Sequence, residues 1–90
     1  MNVIDTYAHH NGQIGVIARF CCETDFAARS DEFKAFTKEV CMTLAANYDD
    51  FNRETTEMVS LNITFSEYLK SINSKFKEKI DLLDLNIWLA

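Results

Sequence analysis

Residues 9–20 read His-His-Asn-Gly-Gln-Ile-Gly-Val-Ile-Ala-Arg-Phe, and they contain the signals that decide the fold. The dipeptide Asn11-Gly12 readily adopts the two positive-φ positions of a type I′ turn. It lies between two apolar-rich runs. The pattern therefore predicts a β-hairpin with Asn11-Gly12 as its loop.

The second arm of this hairpin alternates between two faces. Its even-numbered residues are apolar and should face a core: Ile14, Val16, Ala18, Phe20 and Cys22. A two-residue loop would place Val3 opposite Phe20 and Tyr7 opposite Val16, which extends the apolar face across the first arm. Asp5 would then lie opposite Ala18, where a charged residue does not fit the apolar pattern.

From Ser30 onward the period of the apolar residues changes from two to about 3.6, which predicts an amphipathic helix. Ser30 is a favourable N-cap, and Asn47 is the expected end of the helix. The predicted buried stripe consists of Phe33, Phe36, Val40, Cys41, Leu44 and Ala45. Residues 48–63 follow as a polar connector without a clear period.

A second helix is predicted to begin at Thr64, because Thr64 and Glu67 have the spacing of a capping box. Its buried stripe should contain Phe65, Leu69, Ile72, Phe76 and Ile80. Residues 83–89 alternate again and predict a closing strand whose inward residues are Leu83, Leu85, Ile87 and Leu89. The chain is thus predicted to form a single α+β domain over residues 1–90. Its expected order is ββααβ, with a three-stranded antiparallel sheet packed on two helices.

Composition limits the classes of function. The chain has 90 residues and a formal net charge of -5 at pH 7, which opposes direct binding to the phosphates of nucleic acids. No stretch approaches the roughly 20 apolar residues of a membrane span, and the first residues do not resemble a signal peptide. We therefore expect a cytoplasmic protein with no nucleic-acid or membrane partner. Three cysteines without a framework spacing are typical of reduced thiols.

The candidate chemistry in the sequence is sparse. His9-His10 and the three cysteines contain the residue types that zinc prefers, but adjacent residues on a strand point to opposite faces and no Cys-x-x-Cys pattern occurs. A catalytic thiol is disfavoured because Cys22 and Cys41 fall on predicted core faces. We expect no metal site, no cofactor and no enzymatic activity.

The segment between the second strand and the first long helix, residues 23–29, contains Phe26. Two interpretations of this aromatic residue are open. Phe26 could close the end of the core, with Thr24 or Asp25 capping a short helical turn. It could instead be an exposed anchor for a protein partner, because loops on rigid scaffolds often carry binding residues.

At this segment the sequence resembles the translation elongation factor Ts family. The family typically reads Tyr-Ile-His-His-Asn-Gly-Arg-Ile-Gly-Val, and later Cys-Glu-Thr-Asp-Phe-Val-Ala-Arg-Asn. The matching blocks of this chain are Ile4-Asp5-Thr6-Tyr7, residues 9–16, Thr24-Asp25-Phe26, residues 29–34 and Ala45-Ala46. The chain departs from the family at Arg19, Cys21, Ala27 and Ser30, and the typical Gly-Glu-Asn before the final strand is missing.

The resemblance implies a partner and a site. In the family, the Thr-Asp-Phe tip presses on the nucleotide-binding domain of elongation factor Tu and disturbs its magnesium and phosphate environment. By this resemblance Phe26 is the wedge, Asp25 its polar partner and Thr24 the residue that shapes the tip, and Arg29 also belongs to the partner-binding surface.

The function that the resemblance implies is promotion of GDP exchange on elongation factor Tu. The alternative is a binding-only module, in a virus-encoded or divergent copy, that recruits or sequesters Tu without accelerating exchange. Full-length members carry an N-terminal helical domain and a longer excursion where this chain has residues 48–63. Short members with one core half can pair, so a homodimer is expected as well.

Overall fold

The computed structural model describes all residues, 1–90, and confirms the predicted ββααβ order. The three strands form one antiparallel sheet in the order β1-β2-β3. A five-residue helix precedes the two predicted long ones. The elements are β1 Asn2–Ala8, β2 Ile14–Cys21, α1 Asp25–Arg29, α2 Asp31–Ala46, α3 Phe65–Phe76 and β3 Asp81–Leu89.

The first hairpin has the predicted register but a different turn. Val3 pairs with Phe20 and Tyr7 pairs with Val16, as expected. The predicted type I′ turn at Asn11-Gly12 is wrong, because Gly12 has a φ of 73° whereas Asn11 does not have a positive φ. The backbone N–H of Gly12 donates to the carbonyl of His9 at 2.8 Å, so the turn spans residues 9–12 and Gly12 is its last residue.

The core lies between one face of the sheet and helices α2 and α3. Val16, Ala18, Phe20 and Cys22 are buried, as the alternation of β2 predicted. Phe36 of α2 is at the centre, because its ring packs against Phe20 at 5.7 Å between centroids. It also packs against Tyr68 of α3 at 5.1 Å. This aromatic cluster joins the sheet to both long helices.

Asp5 has a structural explanation that its sequence position did not give. Its carboxylate accepts hydrogen bonds from Oγ1 of Thr37 at 2.8 Å and from Nζ of Lys38 at 3.1 Å. Burial opposes ionisation of Asp5, but these bonds outweigh that effect and hold the pKa of the carboxyl below its usual value. Asp5 therefore ties β1 to α2.

The closing strand is confirmed, but three of its four predicted inward residues are exposed. The pairing of β2 with β3 shifts between Arg19 and Phe20, so that Leu82 rather than Leu83 lies opposite Phe20. Leu82 is buried, whereas Leu83 is 49% exposed. Leu85 and Leu89 pair with the core-facing Ala18 and Ile14, yet both remain exposed. The predicted burial of these two leucines is also wrong.

Helix α3 begins as predicted and ends earlier. The capping box is present, with the N–H of Glu67 donating to Oγ1 of Thr64 and the N–H of Thr64 donating to the Glu67 carboxylate. The helix stops at Phe76 because Lys77 adopts the left-handed conformation, with φ 54° and ψ 40°. Ile80 is buried, but it follows the helix instead of belonging to its stripe.

The connector over residues 48–63 is more firmly packed than its polar sequence suggested. Met58 is only 3% exposed and belongs to the core. The N–H of Ser60 donates to the buried Glu39 carboxylate at 2.7 Å, and the N–H of Val59 donates to Oγ1 of Thr43 at 3.1 Å. The connector is thereby attached to helix α2. No helix in the chain has both the length and the apolar character needed to cross a bilayer.

Candidate functional site

The four residues that the sequence analysis singled out lie together on helix α1 and its N-cap. We call residues 24–29 the tip. Thr24 has an extended backbone, and its hydroxyl accepts a hydrogen bond from the N–H of Ala27 at 3.1 Å. Thr24 is therefore the N-cap of a short helix, one of the roles expected for it.

Phe26 projects from the tip into solvent. Its exposed fraction is 78%, so the interpretation in which it closes the core is wrong. The next residue, Ala27, is fully buried in the core cluster. The small Ala27 side chain thus seats the helix on the core while Phe26 points away from it.

Asp25 and Arg29 form an ion pair along the tip. Nε of Arg29 lies 2.9 Å from a carboxylate oxygen of Asp25, one helical turn away. Both side chains are mainly exposed, so the pair contributes little to stability. The short helix that carries Phe26 therefore also presents charged groups of both signs.

Ser30 joins the tip to helix α2. Its hydroxyl donates to the carbonyl of Ala27 at 2.8 Å and accepts from the N–H of Phe33 at 3.1 Å. The same residue therefore ends α1 and caps the start of α2. Phe33 is buried, so this joint connects the tip directly to the core.

A second attachment of the tip was missed by the sequence analysis. The Glu78 carboxylate accepts from the N–H of Glu23 at 2.9 Å, the N–H of Thr24 at 3.2 Å and the Thr24 hydroxyl. In return, the Glu23 carboxylate accepts from the N–H of Lys79. We call this pair of side chains the glutamate clasp. It links the start of the tip to the loop between α3 and β3.

One signal could have revealed the clasp. The sequence lacks the Gly-Glu-Asn expected before the final strand, but it has Lys77-Glu78-Lys79. Lys77 occupies a left-handed conformation, which favours glycine. Glu78 directly follows this residue, in the short loop that leads to β3.

The electrostatics of the site follow from these contacts. The hydrogen bond from the Thr24 hydroxyl is the main reason that the pKa of Glu78 lies below its usual value. Burial raises the pKa of Cys22, which lies just before the tip, and raises that of Cys41 to about 12. Both thiols are therefore protonated at neutral pH and are poor nucleophiles.

The histidines and cysteines are residue types that zinc prefers. His9 and His10 lie side by side at the hairpin turn, with 4.3 Å between ring centroids, and Tyr7 shares a hydrogen bond with His9. No group of three or more histidine, cysteine, aspartate or glutamate side chains is arranged to hold a metal ion. The tip remains the candidate site.

The fold and the site together define a small α+β domain with an exposed aromatic side chain on a doubly attached turn. The family model described as "Elongation factor TS" matches residues 23–87. The chain belongs to the elongation factor Ts family, as the resemblance predicted.

Comparison with individual relatives also assigns the chain to this family. The chain is 36% identical over 85 residues to the chloroplastic elongation factor Ts of Galdieria sulphuraria, covering 87% of this chain and 43% of the relative. It is 54% identical over 44 residues to elongation factor Ts of Thermoanaerobacter sp. (strain X514), covering 49% of this chain and 22% of the relative. The chain therefore spans less than half the length of these curated relatives.

Proposed function

We propose that this domain binds elongation factor Tu through the tip and promotes the release of GDP. The observation that carries the proposal is the exposure of Phe26 on a helix that is attached to the rest of the fold at both ends. A phenylalanine normally stabilises a fold by being buried, and an exposed ring adds little to the free energy of unfolding. Its placement inside the family-matched residues 23–87 supports a role in binding.

The attachment of the tip matters for affinity. A flexible loop loses conformational freedom when it binds, which reduces the net binding free energy. Here Thr24 caps the helix, Ser30 fixes its end and Ala27 seats it on the core. Insertion of Phe26 into a partner would therefore require little further ordering of the tip. Aromatic anchors of this type commonly contribute about 2 kcal/mol or more to an interface.

The mechanism is one of linkage and requires no covalent chemistry. A factor that binds nucleotide-free Tu more tightly than GDP-bound Tu must weaken GDP affinity by the same ratio. In the proposed complex Phe26 displaces groups around the magnesium and phosphates of Tu, while Asp25 and Arg29 contact polar groups beside it. We accordingly infer a binding protein and not an enzyme, acting in the cytoplasm, where Tu would be its partner.

The test compares binding with release. Titration calorimetry gives the Kd of this domain for nucleotide-free Tu and for GDP-bound Tu, and stopped-flow fluorescence gives the release rate of a fluorescent GDP analogue. We expect tighter binding to nucleotide-free Tu together with faster release. Equal Kd values with unchanged release would select the binding-only alternative, and no binding to either form would contradict the proposal.

We also propose that two copies associate through the outer face of the sheet. Ile4, Ile17 and Trp88 lie on the face opposite the helices, and Trp88 is 74% exposed. A second copy of the same face would cover these apolar side chains, and a twofold arrangement is the commonest way for identical chains to pair. Each dimer would then carry two tips.

A further inference from the structure

We propose that Glu78 is a positioning residue for the tip, and that the glutamate clasp sets the orientation in which Phe26 meets its partner. This inference rests on the proposed function of the tip. The clasp joins residues that are 54 to 56 positions apart in the chain. It therefore holds the start of helix α1 in a fixed position relative to the α3–β3 loop.

The clasp is reciprocal. Each glutamate side chain accepts from backbone N–H groups of the other loop, so a shift of either loop breaks bonds on both sides. Glu78 also accepts from the hydroxyl of Thr24, the same group that accepts from the N–H of Ala27. This bond holds the Thr24 side chain in the rotamer that caps α1. Glu78 thereby acts on Phe26 through Thr24.

The loop that carries Glu78 is itself fixed to helix α3. The side-chain amide of Asn73 donates to the carbonyl of Leu69 at 2.9 Å and to the carbonyl of Ile80 at 3.1 Å. The N–H of Ile80 donates back to the Asn73 side-chain oxygen. Because Ile80 is buried, the loop has little freedom to follow a moving tip. The rigid partner in the clasp is therefore the α3–β3 loop.

Glu78 is half-buried and lies outside the core cluster, which argues against a purely structural role. The core is complete without this side chain, and helix α1 retains its attachment through Ser30. Loss of the clasp should therefore leave global stability almost unchanged while the start of the tip becomes mobile. That combination is the signature of a positioning residue.

The experiment uses four variants of the full chain and two readouts. Glu78→Ala removes all three acceptor bonds, whereas Glu78→Gln keeps an oxygen that can accept from the two backbone N–H groups. Glu23→Ala removes the opposite half of the clasp, and Glu54→Ala changes an exposed glutamate of the connector as the matched control. Amide hydrogen exchange measured by NMR reports the order of the tip, and release of a fluorescent GDP analogue from Tu reports its action.

We expect Glu78→Ala to speed exchange of the Thr24 and Ala27 amides about tenfold and to slow GDP release by a similar factor. Glu23→Ala should change both rates in the same directions but by a smaller factor. Glu78→Gln should bring the amide exchange rate and the GDP release rate most of the way back to the parental values. The melting temperature and the α2 amides should match those of Glu54→Ala. Unchanged tip amides in Glu78→Ala would overturn the proposal, as would mobile amides with a parental release rate.

The two proposals fail in different ways. A parent chain that does not accelerate GDP release contradicts the proposed function. The amide readout still decides whether Glu78 orders the tip, because it does not depend on Tu.

Discussion

At the scale of single residues, Phe26 and Ala27 show how the tip is built. They are adjacent on α1, yet Phe26 is exposed and Ala27 is buried. A larger residue at position 27 would not fit against the core without moving the helix. The departure from the family's usual valine to Ala27 reduces the volume at this contact. The small side chain of Ala27 still packs against the core, and the position of Phe26 depends on that contact.

The contacts of Asp5 with α2 could not be predicted from the sequence, and their contribution to stability can be measured by substitution. Asp5→Ala should lower the free energy of unfolding by about 1–3 kcal/mol at pH 7, because Thr37 and Lys38 lose the carboxylate that accepts from both of them. Urea denaturation followed by circular dichroism measures the change. Asp49→Ala, at an exposed connector position, is the control and should stay within about 0.5 kcal/mol of the parent.

The contribution of Asp5 should also depend on pH. Its pKa in the folded chain is lower than its usual value of 3.8, so the stabilisation is fully present above that value. It should disappear as the pH falls through the folded pKa. The stability difference between the parent and Asp5→Asn should therefore shrink below about pH 4. A difference that stays constant from pH 7 to pH 3 would contradict the ion-pair assignment.

At the scale of secondary-structure elements, the end of α3 offers a substitution that should stabilise the fold, whereas those at Asp5 should destabilise it. Lys77 adopts a left-handed conformation that costs a non-glycine residue about 1 kcal/mol. Lys77→Gly should therefore raise the free energy of unfolding by roughly 0.5–1 kcal/mol. The same substitution at the exposed Lys70, inside the helix, should lower it by about 1 kcal/mol. Destabilisation by both glycines would show that position 77 is not left-handed in solution.

The connector gives a matched pair of neighbouring residues. Met58 is buried in the core, whereas Val59 is 49% exposed. Met58→Ala should cost about 2–4 kcal/mol of unfolding free energy, while Val59→Ala should cost less than about 1 kcal/mol. Thermal unfolding and urea titration measure both. Similar small effects would show that the connector does not contribute to the core.

These elements also show which features a sequence can reveal. The Ser30 cap and the Thr64 capping box were predicted correctly because each depends on residues within a few positions of one another. The hairpin register was predicted correctly because a short loop and the apolar alternation fix it. The shift opposite Arg19 and Phe20 was not predictable from alternation, since an extra residue in one strand inverts the pattern that follows. The leucines of β3 were misassigned because their burial depends on how far the helices extend over the sheet.

The candidate site also contains features that the sequence could predict and features that it could not. The sequence and its resemblance pointed to Thr24, Asp25, Phe26 and Arg29, which lie together on one short segment. Periodicity could not decide the exposure of Phe26, because a five-residue helix contains too few residues to show a period. The clasp was missed because Glu23 and Glu78 are brought together only by the antiparallel pairing of β3 with β2.

At the scale of the whole molecule, the sheet is covered on one face only. If two copies pair through the outer face, sedimentation equilibrium should show a species of twice the 10.4 kDa chain mass at high micromolar concentration. Trp88 fluorescence should shift to shorter wavelength as the dimer forms, because the indole becomes buried. Ile17→Asp should abolish both effects and leave the melting temperature of the monomer nearly unchanged. A parent chain that remains at the monomer mass would contradict the dimer.

The central claim is that Phe26 acts on elongation factor Tu and not on the fold, and one measurement tests it most directly. Stopped-flow release of a fluorescent GDP analogue from Tu is compared for the parent, Phe26→Ala and Phe33→Ala, alongside their thermal unfolding. Phe33 is buried, so its truncation should cost about 3–5 kcal/mol and unfold much of the domain. The predicted result is that Phe26→Ala keeps the parental melting temperature and loses nearly all acceleration of release. A folded Phe26→Ala chain that releases GDP at the parental rate would contradict the claim.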